Sequence, residues 1–310
     1  MIKPIFKATV LLAFLSACTQ ESGQQNEKVS ETTESGVKNS GTIQVGDQTM
    51  EVDALSGGRI KGITIDGMNF LTGVEVNADN WGSTFWPSPQ SKWGWPPSDE
   101  IDKKEYHAVY EDKKIVMTSA VDSKQGYVVE KVITGNDTDT SFLVTYTLIN
   151  QSDSAQQVAP WEISRVRPGG LTFYPKGDGE KRGDLAPLTT DLDGVTWFAY
   201  DSATIPGDVP KLLADGSEGW LAQVNGRYIL IKSFEDVPLA FNAPEEGEIE
   251  LYTNPDKSYI EIEQQGAYRE VKPGEKYAWE VKWILRRLPE SIKAEAGNPE
   301  LVSYVRNLAK

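Results

Sequence analysis

The sequence predicts an all-β protein, a large antiparallel β-sandwich with a short C-terminal helix. Apolar and polar residues alternate with a period of two in many short segments, as in residues 277–285, which read YAWEVKWIL. Turn-forming Asn, Asp, Gly and Pro residues separate these segments at fairly regular spacing, which is typical of a sandwich of many short strands. The one good helical pattern lies at the end of the chain.

The predicted strands follow one another along most of the chain. They are residues 59–65, 114–119, 127–134, 142–149, 196–200, 219–224, 228–234, 249–252, 259–263 and 277–285. Asn225-Gly226 separates two of them and is the strongest hairpin signal. Asn298 as N-cap, Pro299 at the first helical position and apolar residues at helical spacing predict the helix.

The first 18 residues carry a targeting signal. Lys3 and Lys7 precede an apolar run that is too short to span a bilayer, so we interpret residues 1–17 as a signal peptide. The run ends in Leu-Ser-Ala-Cys, and Cys18 is the only cysteine. An ordinary signal peptide with a chance cysteine is the alternative to a lipid-modified one. Residues 18–41 are polar and predict a flexible tether, so the folded domain is expected at residues 42–310.

The Leu-Ser-Ala-Cys pattern resembles the lipobox of bacterial lipoproteins. This resemblance implies cleavage before Cys18, acylation of Cys18 and anchoring of the protein to the cell envelope. Several acyl chains on one residue give stable anchoring to a lipid bilayer. With Thr19 at the next position, the resemblance also favours the outer membrane, on its periplasmic or surface side, if the host is Gram-negative.

Charge and composition exclude several functions. The chain has 31 basic and 46 acidic residues, a net charge of −15. Removal of the two signal-peptide lysines makes this 29 − 46 = −17. Such an acidic surface repels nucleic acid, which we do not expect as a partner. The single histidine, His107, excludes a multi-histidine metal site, although an all-oxygen calcium site stays possible. We expect no cofactor and assign no metal ligands.

Residues 81–97, WGSTFWPSPQSKWGWPP, combine four tryptophans with four prolines. Proline removes backbone donors, so the segment is predicted to be a stiff loop and neither a helix nor a central strand. Rigid indole rings can pack on the C–H faces of sugars while their N–H groups bond to hydroxyls. We predict that Trp86, Trp93 and Trp95 form a stacking wall for a saccharide. The alternative is that these rings cap an open end of the sandwich.

Two further clusters supply candidate polar contacts. Glu162 and Arg165 lie among aromatic residues, and arginine can form paired bonds to hydroxyls or carboxylates. On a regular strand the two would face opposite ways, and a surface salt bridge is the alternative. Glu261 and Glu263 lie on one face of a predicted strand, where they could serve acid–base chemistry, a cation site or a solvated sheet face.

These segments together resemble the galactose-mutarotase-like superfamily. ALSGGRIKGITIDGMNFL at residues 54–71 resembles the opening of those proteins, and the tryptophan-rich segment resembles an uncharacterised bacterial lipoprotein family within the group. The resemblance implies a large antiparallel sandwich, the mutarotase-like supersandwich, with a carbohydrate-binding concave face. In aldose epimerases of this fold a glutamate takes the anomeric hydroxyl proton while a histidine protonates the ring oxygen.

The match to the epimerase chemistry is incomplete. Ile262-Glu263-Gln264-Gln265 resembles the segment around the epimerase glutamate, so Glu263 is the candidate base. His107 is the only candidate for the acid, and its surroundings match neither histidine motif of the epimerases. We therefore expect an envelope-anchored protein that binds a neutral or acidic sugar without standard epimerase catalysis. An aldose 1-epimerase-like enzyme with Glu263 as base and a structural or assembly lipoprotein are the alternatives.

Overall fold

The computed structural model describes residues 40–207 and 210–310. The predicted signal peptide, Cys18 and the tether up to residue 39 lie outside the described residues. The first strand begins at Ser40, two residues before the predicted start of the folded domain at residue 42.

The described chain forms two antiparallel sheets. In chain order the elements are β1 (Ser40–Val45), β2 (Gln48–Asp53), β3 (Arg59–Ile65), β4 (Met68–Asn69), β5 (Ser83–Ser88), α1 (Asp99–Asp102), β6 (His107–Glu111), β7 (Lys114–Thr118), β8 (Tyr127–Asn136), β9 (Ser141–Asn150), β10 (Gln156–Val166), β11 (Leu171–Pro175), β12 (Thr190–Leu192), β13 (Val195–Ala199), β14 (Lys211–Ala214), β15 (Trp220–Asn225), β16 (Tyr228–Phe234), β17 (Ile249–Thr253), β18 (Ile260–Gln265), β19 (Arg269–Val271), β20 (Lys276–Arg287) and α2 (Pro299–Ala309).

The strand order shows how the chain builds the two layers. The first sheet runs β1-β2-β3-β5-β10-β18-β17-β14, with β4 paired to β3 and β19 to β10. The second runs β12-β13-β11-β15-β16-β20-β9-β8-β7-β6. Phe85 of the first sheet stacks on Tyr146 of the second with ring centroids 4.6 Å apart, so the sheets pack face to face over one apolar core. The predicted β-sandwich is confirmed.

Helix α2 covers the outer face of the second sheet. Leu301, Val302 and Val305 are buried there in a second apolar cluster with β-strand residues. The Asn298 side chain accepts a hydrogen bond from the Glu300 amide at 3.0 Å, which caps the helix as predicted. Neither α-helix in the described part of the chain has the length and apolar character needed to cross a membrane.

The tryptophan-rich segment differs in part from the prediction of a loop. Ser83–Ser88 forms β5, which lies between β3 and β10 inside the first sheet. Pro87 faces Pro160 of β10 in register. The Pro160 carbonyl accepts from the Gly266 amide at 2.9 Å, on the opposite side of β10 from β5. The backbone N and C=O of one strand residue point to the same side, so the N of Pro160 also points away from β5. No N–H···O=C bond is therefore required between Pro87 and Pro160. The prediction that this stretch excludes a central strand was wrong.

Candidate functional site

A cleft of about 720 Å³ opens on the face of the first sheet that is turned away from the second sheet. Five neighbouring strands, β5, β10, β18, β17 and β14, supply its floor. The floor side chains are Trp86, Trp161, Glu261, Glu263, Tyr252, Lys211 and Leu213. Loop residues form the walls, namely Asn80, Gln90, Ser91, Gly94, Trp95, Glu245, Glu246 and Tyr259.

Strand register brings these distant residues together. Glu263 lies opposite Ile163 of β10 and opposite Glu250 of β17. Glu261 in turn lies opposite Arg165 and Tyr252. Because alternate residues of a strand share a face, all of these side chains project to the outer side of the sheet. The expectation that Glu261 and Glu263 share one face is confirmed.

Glu263 is the most deeply buried acid of the cleft, with 1% of its surface exposed. Its Oε2 accepts a hydrogen bond from the Trp161 indole N–H at 2.8 Å, whereas its Oε1 has no partner. Burial raises the pKa of Glu263 well above its ordinary value, and the nearby Glu250 and Glu261 carboxylates add to the rise. Lys211 opposes this shift without cancelling it. The cleft therefore holds a carboxyl group with one buried oxygen that has no hydrogen-bond partner among the described residues.

Lys211 is the one basic side chain that lines the cleft within the described residues. It forms an ion pair with Glu250, and its ammonium lies 5.0 Å from the centroid of the Trp161 ring. Burial lowers its pKa, but the Glu250 and Glu263 carboxylates outweigh this effect and raise the pKa above its ordinary value. Lys211 is thus a permanently charged group that is already neutralised by Glu250.

Glu246 supplies a second titratable carboxyl at the wall. Its Oε1 accepts from the backbone amide of Gln90 at 2.9 Å, which joins the tryptophan-rich segment to the Glu245-Glu246 turn. Burial and the neighbouring Glu250 raise the pKa of Glu246 to about 7. The charge of the cleft therefore changes near neutral pH.

The three tryptophans that were predicted to form a stacking wall have different positions in the structure. Trp86 is 3% exposed and packs edge to face against Trp93, Trp95 and Trp161 at centroid distances of 6.0, 5.8 and 5.4 Å. Trp93 donates its indole N–H to the Pro87 carbonyl at 2.6 Å and does not line the cleft. Trp95 is 58% exposed at the rim. Trp95 alone of the three offers a free aromatic surface.

Arg165 projects to the same face of the sheet as the cleft floor but is covered by neighbouring side chains. It is fully buried, donates from Nε to Glu261 at 2.8 Å and from a terminal nitrogen to Thr84 at 2.8 Å, and its guanidinium lies 5.3 Å from the Trp86 ring centroid. It does not line the cleft. Arg165 therefore orients Glu261 and Trp86 rather than meeting a ligand directly.

Glu162 is on the opposite face of β10, inside the sandwich. Lys232 of the second sheet donates to it at 2.8 Å, Ser164 donates at 2.6 Å, and Ser83 and Gln264 complete its bonds. Both members of the Glu162–Lys232 ion pair are fully buried. The strand runs through Pro160 without a break, so the structure does not bring Glu162 to the cleft. Sequence alternation had indicated these opposite faces.

His107 is exposed on β6, at the edge of the second sheet, and is not among the cleft residues. The candidate acid and the candidate base of an epimerase reaction therefore lie on different sheets. Within residues 40–207 and 210–310, no three His, Cys, Asp or Glu side chains are placed to share a metal ion.

Several cleft residues were not predicted from the sequence. Lys211, Tyr252 and Tyr259 come from strands or strand ends more than 100 residues from the tryptophan-rich segment, and Glu246 comes from a turn. Tyr252 ends a predicted strand, which is a weak signal, whereas no sequence pattern indicates Lys211. The Glu245-Glu246 pair gave none, because acidic pairs in turns are usually solvated.

The fold resembles solved structures with low sequence identity. A galactose mutarotase-like protein from Lactobacillus casei matches with a TM-score of 0.56 and 12% identity, over 80% of this chain and 100% of that chain. A galactose mutarotase related enzyme from Lactobacillus acidophilus matches with a TM-score of 0.56 and 8% identity, over 82% and 99%. A galactose mutarotase-like protein from Clostridium acetobutylicum gives 0.53 and 10%, over 80% and 95%. The fold is thus galactose mutarotase-like, as the sequence resemblance implied.

Sequence comparison identifies the family. No curated protein matched the chain. The model of one family, described as Domain of unknown function (DUF4380), matches residues 71–286, more than half of the sequence, and this range includes every strand that supplies the floor of the cleft. The protein belongs to this family, the Domain of unknown function (DUF4380), and has a galactose mutarotase-like fold.

Proposed function

We propose that the cleft of the first sheet binds a saccharide. The observation that carries the proposal is the pairing of an exposed indole face, Trp95, with a free carboxyl oxygen, Oε1 of Glu263, in one preformed cleft. Sugars have apolar C–H faces and outward hydroxyls, and such a ligand meets both groups at once. The mutarotase-like fold supports a function related to sugars.

Rigidity of the site also supports this proposal. Trp95 packs against Trp86, whose indole N–H is fixed by Asp102 at 2.9 Å, and Trp161 is fixed by Glu263 at 2.8 Å. Side chains that are ordered before binding lose little conformational entropy when the ligand arrives. Weak contacts to a ligand are therefore offset less by the entropy cost of ordering the cleft side chains.

The state of Glu263 favours binding over standard epimerase catalysis. A general base has to be ionised at the working pH, whereas burial raises the pKa of Glu263 well above its ordinary value. The one histidine is remote from the cleft. We propose that the protein binds sugar without the standard glutamate–histidine chemistry.

Catalysed anomer exchange is a second candidate, favoured by the two carboxyl groups in the cleft whose pKa values are raised, those of Glu246 and Glu263. A protonated Glu263 could act as a general acid while an ionised Glu246 accepts a proton. Exchange spectroscopy of galactose and glucose anomers tests this idea. Activity that survives Glu263→Gln unchanged would refute the assignment.

Intrinsic tryptophan fluorescence of the full-length chain, titrated with neutral, amino and acidic sugars, tests saccharide binding. If a sugar covers half of the exposed Trp95 ring, it removes ~65 Å² of the ~130 Å² that are accessible, taking a whole side chain as roughly 200–250 Å². At ~25 cal/mol/Å² this is about 1.6 kcal/mol, or about 15-fold in affinity. Trp95→Ala should weaken binding by that factor.

Phe241→Ala is the matched control, because Phe241 is also an exposed aromatic residue, at 54%, and does not line the cleft. It should leave the affinity unchanged. Equal affinity of the Trp95→Ala variant and the parent would remove the stacking contact from the proposal. A chain that responds to none of the sugars would instead favour a structural or assembly protein.

We also propose that the protein is held at the cell envelope through acylated Cys18. The support is the Leu-Ser-Ala-Cys sequence alone. Mass spectrometry of the N-terminal peptide from the native host should find a lipid-modified Cys18, and Cys18→Ser should release the protein from the membrane fraction. A Cys18 residue without lipid would favour the ordinary signal peptide.

A further inference from the structure

The charges around the cleft are unbalanced. Four carboxyl groups line it, those of Glu245, Glu246, Glu261 and Glu263, against the single ammonium of Lys211. Lys211 is ion-paired with Glu250, which does not line the cleft, so it only partly offsets the charge of the four. Among them only Glu261 has its own cation, the buried guanidinium of Arg165 on the neighbouring strand. Three acidic side chains therefore face the cleft without a basic partner of their own within the described residues.

The expectation of an acidic sugar does not agree with this arrangement. An acidic sugar would need a basic partner, and neither Arg165 nor the neighbouring Arg167 supplies one in the cleft. Arg165 is fully buried outside the cleft and bound to Glu261, and Arg167 is exposed just beyond the end of β10 without lining the cleft. A uronic or phosphorylated sugar would bring its negative charge against the unpaired carboxyl groups, which like-charge repulsion disfavours.

We propose that the saccharide of this cleft carries a basic amine, whose ammonium group binds Oε1 of Glu263 in the cleft that Glu246 also lines. The proposal rests on the saccharide-binding function proposed above and names its substrate class. The unpartnered Oε1 atom of a nearly fully buried side chain is the observation that points to a ligand donor. An ammonium group has three such donors.

The aromatic residues of the cleft suit the same charge. Trp95, Trp161, Tyr252 and Tyr259 surround it, and the faces of such rings attract cations. Lys211 already provides one example in this cleft, where an ammonium lies beside the Trp161 ring and against a carboxylate. A ligand ammonium at Glu263 would repeat this combination on the open side of the cleft.

Proton release is a signature of this mode of binding. The groups that face Glu263 are Lys211 from β14, Glu250 from β17, Glu261 from its own strand and Trp161 from β10. Burial, together with these groups, favours the protonated form of the Glu263 carboxyl. An arriving ammonium favours the ionised form, so binding at neutral pH should release protons. A neutral sugar brings no charge and should release none.

The test compares galactosamine, glucosamine and mannosamine with galactose, glucose and mannose and with galacturonate, using the full-length chain in a calorimeter. The best amino sugar should bind about tenfold more tightly than its neutral counterpart, which corresponds to ~1.4 kcal/mol. Its binding heat should depend on the ionisation enthalpy of the buffer, as expected for proton release. Cyclohexylamine serves as an amine without a sugar ring.

Two variants test whether the preference for amino sugars depends on Glu263. Glu263→Gln retains an acceptor for Trp161 and should reduce the ratio of amino-sugar to neutral-sugar affinity by about tenfold. Glu111→Gln removes one exposed charge from the edge of the second sheet, away from the cleft, and should leave the ratio unchanged. Because a ratio is compared, a general loss of affinity does not imitate the result.

Each outcome decides between the proposals. Equal or tighter binding of neutral or acidic sugars would overturn the amino-sugar inference and leave saccharide binding intact. A ratio that is the same in Glu263→Gln and the parent would also overturn it. Absence of binding by every sugar would overturn both proposals, as would cyclohexylamine binding as tightly as the amino sugars.

Discussion

The buried ion pair between Glu162 and Lys232 should be a major determinant of stability. The pair joins β10 of the first sheet to β16 of the second across the core, and neither side chain is exposed. Replacing Lys232 by Met retains most of its volume over the Trp283 ring and removes its charge. Glu162 would then be left in the core with bonds from Ser83, Ser164 and Gln264 only.

The size of the effect follows from this geometry. Breaking a buried pair by removing one partner costs about 3–5 kcal/mol, because the remaining charge stays desolvated. For a domain of this size each kcal/mol shifts the melting temperature by about 2–4 °C, so Lys232→Met should lower it by roughly 6–20 °C. In the double variant with Glu162→Gln no buried charge remains, and most of the loss should be recovered.

Thermal unfolding followed by circular dichroism measures these shifts. Lys282→Met is the matched control, because Lys282 forms a pair with Asp139 at 2.8 Å in which both side chains are partly exposed. Such a pair contributes about 1 kcal/mol or less. If Lys232→Met is no more destabilising than Lys282→Met, the structural role of the buried pair is refuted. If Glu162→Gln leaves stability unchanged and abolishes sugar binding, Glu162 is a ligand-binding residue after all.

Three further predictions concern stability. Burial lowers the pKa of Lys131 to about 7 and that of Lys232 to about 8, whereas both are about 10.5 in the unfolded chain, so these two lysines bind fewer protons in the folded state and contribute a rise in the free energy of unfolding from pH 7 to pH 9.5. The raised pKa values of Glu246, Glu248 and Glu263 contribute in the opposite direction, so the lysine contribution is measured as the difference between the parent and Lys232→Met. Burial raises the pKa of Glu263, so Glu263→Gln should increase the melting temperature at pH 7 and not at pH 4. Asn298→Ala removes the cap of α2 and should cost about 1 kcal/mol in urea unfolding.

Each of these predictions has its own control. The change in the free energy of unfolding from pH 7 to pH 9.5 should be less positive in Lys232→Met than in the parent, and an equal change in the two proteins would contradict the burial argument. A Glu263→Gln variant that melts below the parent at pH 7 would show that the carboxyl contributes to stability there. Asn298→Asp retains a capping oxygen, so its stability should lie close to that of the parent.

The strands and the helix were predictable because they are encoded locally. The period-two pattern of β16 gave the bounds Tyr228–Phe234 that the structure has. The hairpin turn before it consists of Gly226 and Arg227, one residue later than the predicted Asn225-Gly226, because Asn225 ends β15 and pairs with Tyr228. Asn298 caps α2 through a contact with a residue two positions away. Such short-range signals do not depend on the rest of the fold.

The parts of the fold and of the cleft that were not predicted depend on contacts between residues far apart in the sequence. β5 was missed because a central strand tolerates proline only where the neighbouring strand needs no backbone N–H from it. At Pro87 this depends on the register with Pro160, which lies 73 residues away in the sequence. The partner of Glu162 is Lys232, on another sheet. Glu263 was identified from the residues around it, whereas Lys211 and Glu246, which complete its cleft, have no pattern that connects them to it.

The order of strands in the first sheet has a consequence if the proposed acylation of Cys18 holds the protein at a membrane. The described chain begins at β1, one edge of the sheet, and β18 with Glu263 is five strands further along. At ~4.8 Å between neighbouring strands, the two are about 24 Å apart. If Cys18 tethers the protein to a bilayer, tension on the tether would pull the β1 edge toward the lipid. The entrance to the cleft would then keep its distance from the headgroups and stay accessible to molecules diffusing past.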